Sequence, residues 1–491
     1  MTRRNRRKNL PNEREGSRLS TGRERLRRLS SKLWHPVNNA SLVFFRVAFG
    51  AIMVWEMFRY FAEDRIRRYY IEPKFLFTYL GFDWVKPWPG NGMYIHFAVL
   101  GLLGIFVALG LFYRISAALF FLGFTYVFLL DQSNYLNHFY LVALLSWLMM
   151  FIPAHQRFSL DVRWRLTPGS KAAPAWGLWL LRAQIGIVYF FGGVAKLNGD
   201  WLQGEPLRGW LGARAKMPLV GPLLGQEWLV WVFVYGGLLF DLLVTPALLW
   251  RKTRAWALAF SLLFHITNAF LFKIGIFPWF MLLASTLFLD PDWPHRCVRW
   301  LSGRKPAVSS TPVGSAALPV PSAAIQRTTG TLIGAYLLLQ ILIPLRHFLY
   351  PGNVSWTEEG HRFSWRMKLR SKESEAKFFV TDKTTGGTQV VDPVSDLNRS
   401  QSEEMSSRPD MILQYARHLA AEARLRGATD VEVRAVVKTA LNGRAVQLLI
   451  DPSVDLAAQP RSLRAAPWIM PLTEPRRRRP ERGEPRVRNQ K

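Results

Sequence analysis

The sequence predicts a polytopic α-helical membrane domain of about nine spans followed by a small, mainly β extramembrane domain. Three observations carry this. Long apolar blocks are confined to residues 40–350. The two ends are polar and basic, within a chain of 64 Lys+Arg against 34 Asp+Glu. Beyond Pro351 the apolar residues alternate instead of running together. With 33 Phe and 20 Trp, the chain is too apolar and aromatic to be disordered throughout. Cys297 is the only cysteine, which excludes a disulfide scaffold, a cysteine-rich zinc site and an iron–sulfur cluster.

The expected spans are 41–60, 93–113, 116–133, 137–153, 176–196, 228–249, 255–272, 275–290 and 330–350. Several approach the roughly 20 residues that cross about 30 Å of hydrocarbon. The third, fourth and eighth are short, and fit a tilted, re-entrant or protein-buried segment. No cleavable signal peptide is expected, because the first apolar block is a full span behind a highly charged segment. Residues 1–39 hold 12 Lys/Arg and 3 Glu, which predicts a cytoplasmic N-terminus. Basic loops after spans four (Arg157, Arg163, Arg165, Lys171), six (Arg251-Lys252-Thr253-Arg254) and eight (Arg296, Arg299, Arg304, Lys305) agree, although the first outer loop also carries Arg65, Arg67 and Arg68. Nine spans then put the C-terminal domain outside. The basic ends fit membrane orientation and contact with anionic lipid better than nucleic acid, since no aromatic-rich binding module accompanies them.

The domain expectation is a basic cytoplasmic segment over 1–39, the transmembrane helical domain over 40–350, a β-rich extracytoplasmic domain over 351–475 and a basic, disordered tail over 476–491. Residues 303–329 read as a flexible loop. Phe363–Leu369, Lys377–Thr381 and Gly387–Val391 read as strands, and 409–426 as the one helix of this domain. Val431–Leu441 and Ala445–Ile450 read as strands joined by Asn442-Gly443, a hairpin signal.

Polar groups at membrane depth are costly and are the functional candidates. Lys196 ends span five after Gly192-Gly193-Val-Ala195, small residues that leave room for another helix or a flat ligand. Its position fits either a lysine snorkelling to the interface or a desolvated lysine acting as a neutral base. Asn137-His138 interrupts the apolar stretch between spans three and four, as a helix cap or as catalytic groups. His265 with Asn268, and Asp241 with Thr245, each lie on one helix face and fit interhelical hydrogen bonds or a site. Arg46 and Glu56 in span one fit pairing with other groups or a place near its ends. No metal motif, Walker loop, dinucleotide fingerprint or nucleophile elbow is present. The residues alone thus support a membrane enzyme acting on a lipid-soluble cofactor, or a proton-coupled transporter or lipid-binding membrane protein. No inverted repeat speaks for the transporter.

Taken in order, these pieces resemble the vitamin K-dependent gamma-carboxylase family, with an HTTM-type membrane domain, over roughly residues 41–473. The resemblance runs through Tyr113-Arg-Ile-Ser116, Phe128-Leu-Leu-Asp131 with Asn137-His138, and Gly193-Val-Ala-Lys196-Leu with Asp200-Trp201. It continues through Gly236-Gly-Leu-Leu-Phe-Asp241, His265 with Asn268 and Ile274-Gly-Ile-Phe277, Phe363-Ser-Trp365, and Asp451-Pro-Ser-Val-Asp455.

The resemblance implies an enzyme of the carbon–carbon lyase class. A lysine deprotonates reduced vitamin K, a naphthohydroquinone, and the anion reacts with O2 to give a strongly basic oxygenated species. That species removes a γ-proton from a peptidyl glutamate, and the carbanion captures CO2. The products are γ-carboxyglutamate and the quinone epoxide, and no metal takes part. It assigns Lys196 as base, supported by His138 and Asn137, with His265, Asp241 and Asn268 on the cofactor side. It places Trp365, Arg370, Lys372 and Arg444 near the glutamate. Arg370 and Lys372 are substitutions in the family pattern, with a basic residue kept at Lys372. The implied partners are a glutamate-containing peptide or protein, membrane lipid and a quinone-reducing enzyme in the same membrane. The chain lacks the cysteine pairs and the long C-terminal extension of the animal enzymes; the basic tails and the absence of cysteine pairs suggest a bacterial homologue in the inner membrane, with the C-terminal domain in the periplasm. An epoxidase-like homologue without protein carboxylation is the nearest alternative.

Overall fold

The computed structural model describes residues 31–272, 274–303 and 321–475. The expected tail, most of the basic N-terminal segment and residues 304–320 of the expected linker lie outside them. Among the described residues, nine apolar helices follow one another: α1 (Ala40–Ala62), α2 (Gly92–Leu109), α3 (Tyr113–Leu130), α4 (Asn137–Phe151), α5 (Ala175–Lys196), α6 (Glu227–Leu249), α7 (Arg254–Phe272), α8 (Phe277–Ser285) and α9 (Ala323–Leu345). Seven of them are long and apolar enough to cross a membrane; α4 and α8 are the shorter two. α4 is short because it is an interior helix, burying Leu141, Val142, Leu145, Leu148 and Met149 against its neighbours. Successive helices from α1 to α8 pack side by side, α8 returns to α1, closing the bundle, and α9 packs on α5. α1 and α2 approach most closely at Gly50, where an added Cβ would lie 2.5 Å from the Gly104 carbonyl oxygen. Only a residue without a side chain permits that backbone contact.

The loops divide between two faces. Strand β1 (Pro36–Asn38), ahead of α1, pairs with β2 (Ala172–Pro174), ahead of α5. Ser41 N donates to the Pro291 carbonyl at 3.1 Å, and Arg254 pairs with Asp290 at 2.9 Å. The N-terminal strand and the even-numbered loops therefore share one end of the bundle. The loops after α1, α3 and α5 hold the C-terminal domain at the other end. Phe77 is buried in that domain's core, Gln401 Nε2 donates to the Phe75 carbonyl (2.9 Å) and to Asp131 (3.2 Å), and Arg461 pairs with Asp83 at 2.6 Å.

The C-terminal domain is an antiparallel sheet in the order β4 (Thr388–Val391), β3 (Lys372–Asp382), β5 (Val431–Leu441), β6 (Gln447–Leu448). β5 alternates buried and less buried residues along its whole length, as one covered face requires. Helices α10 (Arg399–Ser406) and α11 (Pro409–Leu425) pack with the sheet, enclosing Phe378, Val433, Val437, Met411, Tyr415 and Leu419.

Three sequence expectations are corrected. Beside the expected helix the domain has an eight-residue one: Asn398 and Gln401 form a capping box that starts the short, polar α10, which has no apolar periodicity to announce it. The flexible loop does not extend to residue 329, because α9 begins at Ala323 behind a Ser322 cap. Phe363–Leu369 is not a strand. Phe363, Trp365 and Lys368 have φ of +62°, +55° and +50°, so the segment coils, and Ser364, Trp365 and Arg366 are buried in succession rather than alternately. Phe363 packs on Tyr135 and Tyr140, and Trp365 stacks on Tyr140 at 5.0 Å.

Candidate active site

Lys196 is the last residue of α5. The following turn fixes its surroundings, because Asn198 Oδ1 accepts from the backbone N–H groups of Asp200 (3.1 Å) and Trp201 (3.0 Å). That turn brings Trp201 back, its ring centroid 5.3 Å from Lys196 Nζ, and Trp201 Nε1 donates to the Val234 carbonyl at 3.0 Å. Nζ donates to the Gly192 carbonyl at 3.3 Å and forms a buried ion pair with Asp241 of α6. The small residues ahead of Lys196 make this pair possible. An added Cβ on Gly193 would lie 2.7 Å from Leu242 Cδ2, and one on Gly192 would lie 3.1 Å from Asp241 Oδ2. The room beside Lys196 is thus taken by α6, which delivers the carboxylate.

Above the pair, Met367 of the coiled segment reaches within 3.6 Å of the same Gly192 position. Deeper along α5, Tyr189 OH lies 2.8 Å from His265 Nε2 and 3.5 Å from Ser285 Oγ. Phe240, Phe264 and Phe277 surround the His265 ring. His138 lies on the other side of Phe277, with centroids 5.7 Å apart. Asn137 does not cap α4. Its Oδ1 accepts from Tyr135 OH at 3.0 Å, and its Nδ2 donates to the Arg366 carbonyl at 3.4 Å, tying α4 to the coiled segment. His265 and His138 thus share Phe277, Lys196 and Asp241 form their own pair one residue from Phe240, and Asn137 is tied to the segment whose Met367 reaches the Gly192 position. Asn268 does not join them; its amide donates back to the Phe264 carbonyl of its own helix at 2.9 Å.

The cations expected near a glutamate are engaged internally. Arg444, on the Asn442-Gly443 turn, makes a bidentate pair with Asp200 at 2.8 and 2.7 Å, and Asn442 Nδ2 adds a third contact at 2.7 Å. Arg370 and Lys372 both pair with Glu358, Arg370 Nη2 at 2.7 Å and Lys372 Nζ at 3.0 Å. Burial pushes the Glu358 carboxyl up, but Arg370 and Lys372 outweigh it and hold the group well below the usual carboxylate range. Burial pushes Lys372 down to about 8, with Glu358 pulling the other way. Trp365 is buried, with no hydrogen bond to its Nε1. Sequence reasoning missed Tyr189, Ser285 and Glu358. Only Tyr189 left a signal, lying two helical turns before Lys196 on the same face of α5.

A polytopic helical bundle with a buried lysine–carboxylate pair, capped by a sheet domain, is the class this geometry defines. The HTTM domain family matches residues 34–293, and the vitamin K-dependent gamma-carboxylase lumenal domain matches residues 325–475. The chain belongs to the vitamin K-dependent gamma-carboxylase family. No solved structure matches it.

Proposed function

We propose that the chain is an integral-membrane vitamin K-dependent γ-glutamyl carboxylase, coupling oxygenation of a reduced naphthoquinone to its epoxide with carboxylation of peptidyl glutamate. The observation that carries this reading is the buried Lys196–Asp241 pair at the end of α5, beside an aromatic region and under Met367. The donor set fits a quinol. Phe240, Phe264 and Phe277 offer ring contacts, while Lys196–Asp241 and Tyr189–His265 offer polar partners for its hydroxyl groups. When bound, the reduced naphthoquinone supplies the reducing power that turns O2 into a base strong enough for a γ-proton. Lys196 is the group that takes the quinol proton, with the Asp241 carboxylate as counter-charge to the ammonium. His138 and Asn137 position the region's edge, Asn137 by holding the Arg366 carbonyl. The aromatic walls keep bulk water from the glutamyl carbanion until it takes CO2.

A second reading, quinol epoxidation without protein carboxylation, draws support from the internal pairing of Arg370, Lys372 and Arg444. Purified protein given a reduced naphthoquinone, O2, CO2 and a glutamate-containing peptide separates the two. Epoxide with carboxyglutamate supports the first; epoxide alone supports the second. Neither product contradicts both and favours a transporter or lipid-binding protein. The same reading places the N-terminus in the cytoplasm of a bacterium and the C-terminal domain in the periplasm, with a quinone-reducing enzyme in the same membrane.

A further inference from the structure

The C-terminal domain buries more positive than negative charge where it meets the helical bundle. Glu358 is the buried carboxylate shared by Arg370 and Lys372. Arg408 pairs through Nη2 with Glu404 at 2.6 Å, while its Nε and Nη1 make no hydrogen bond. Among the described residues, the Arg366 guanidinium makes neither an ion pair nor a hydrogen bond. Arg366 and Arg408 are each 7% exposed. These groups lie together: Lys372 Nζ reaches Glu358 at 3.0 Å and the carbonyl of Ser407, the residue before Arg408, at 2.8 Å, and Arg366, Arg370 and Arg408 all act electrostatically on His361, which lies 3.6 Å from Glu358. Counting the Arg362–Asp410 pair, whose carboxylate also acts on Arg408, five cations meet three carboxylates, in a setting where buried charges are ordinarily matched.

The backbone is strained at the same place. Glu358, Phe363, Trp365 and Lys368 have φ of +63°, +62°, +55° and +50°. Non-glycine residues in this conformation gather at sites where function sets the geometry. The chain at Arg366 also bridges the two regions. Its carbonyl accepts from Asn137, and the next residue, Met367, reaches the Gly192 position one turn from Lys196.

We propose that this space receives the γ-carboxylate of the substrate glutamate, with Arg366 as its main partner and the free edge of Arg408 as its second. The proposal rests on the carboxylase reading and adds the side chains that grip the substrate. A guanidinium without a carboxylate of its own is suited to a bidentate contact, which a glutamine side chain does not reproduce. Glu358 neutralises part of the surrounding charge, so its removal strengthens the site for an anion.

The test uses the full chain in lipid nanodiscs and a fluorescent glutamate-containing peptide alongside its glutamine counterpart, with Kd read by anisotropy. The wild type should prefer the glutamate peptide. Arg366→Gln should raise its Kd about tenfold or more, as loss of a charged hydrogen bond does, and should erase the preference, while Arg366→Lys restores part of it. The melting temperature of Arg366→Gln should not fall, because the guanidinium has no partner to lose. Glu358→Gln should lower the Kd, opposite to the effect of a merely structural residue. An unchanged Kd in Arg366→Gln, equal binding of both peptides by the wild type, or weaker binding in Glu358→Gln overturns the proposal. Selective binding through Arg366 without carboxyglutamate formation overturns the carboxylase reading and leaves the binding site standing.

Discussion

Lys196 and Asp241 form the residue-scale centre of the site, since each makes the other tolerable at membrane depth. Lys196→Ala should abolish epoxide and carboxyglutamate together, because both depend on one deprotonation. Lys196→Arg should fail as well, since a guanidinium keeps its proton. Asp241→Asn leaves the amine buried without its counter-charge and should lower epoxidation by about 10²–10⁴-fold, the usual scale for a proton-transfer group. Quinol epoxidation by the purified variants checks all three; wild-type rates in Asp241→Asn would remove the carboxylate from the mechanism. Glu358 gives a pH prediction. Its folded pKa lies well below the ordinary 4.5, so its stabilising contribution is fully present above about pH 4.5 and is lost as the pH falls through the folded value. The melting temperature of Glu358→Gln should sit below the wild type at pH 7, and the gap should narrow on acidification. A gap independent of pH would contradict the Glu358 ion pairs.

At the scale of elements, the bidentate Arg444–Asp200 pair fastens the β5–β6 turn to the loop after α5. Removing one member of a buried pair strands the other, at a cost of about 3–5 kcal/mol. Arg444→Ala should therefore loosen the docking of the C-terminal domain, read as a lower melting temperature and faster hydrogen exchange in residues 197–203. Unchanged exchange there would show that the pair does not hold the interface. Much of this level is legible in the sequence. The apolar runs give all nine helices, and the alternation over Val431–Leu441 gives β5. Partners across elements are not legible, because they depend on packing between segments far apart in the chain. Arg444 meets Asp200 across 244 positions, and Asp241 reaches Lys196 only because Gly192 and Gly193 let α6 close in. The Phe363–Leu369 segment reads as a strand because its apolar and polar residues alternate in sequence, but its left-handed residues coil it and bury Ser364, Trp365 and Arg366 in a row.

For the whole molecule, the N-terminal strand and the even-numbered loops lie at one end of the bundle, and the C-terminal domain lies at the other. The basic loops Arg157–Lys171 and Arg251–Arg254 belong to the first end, which should face the cytoplasm. A reporter that is active only outside the cytoplasm, fused after Leu472, should be active. A silent fusion there, with activity from a cytoplasmic reporter, would reverse the orientation. This arrangement presents the sheet domain, with Trp365 and Met367, to the same end of the bundle as Lys196. The most direct measurement is the simultaneous yield of naphthoquinone epoxide and carboxyglutamate from wild-type protein and Lys196→Ala in nanodiscs, with a glutamate-containing peptide and labelled CO2. The wild type should form both products and the variant neither. Epoxide from Lys196→Ala at the wild-type rate would contradict the assignment of the buried pair as the base.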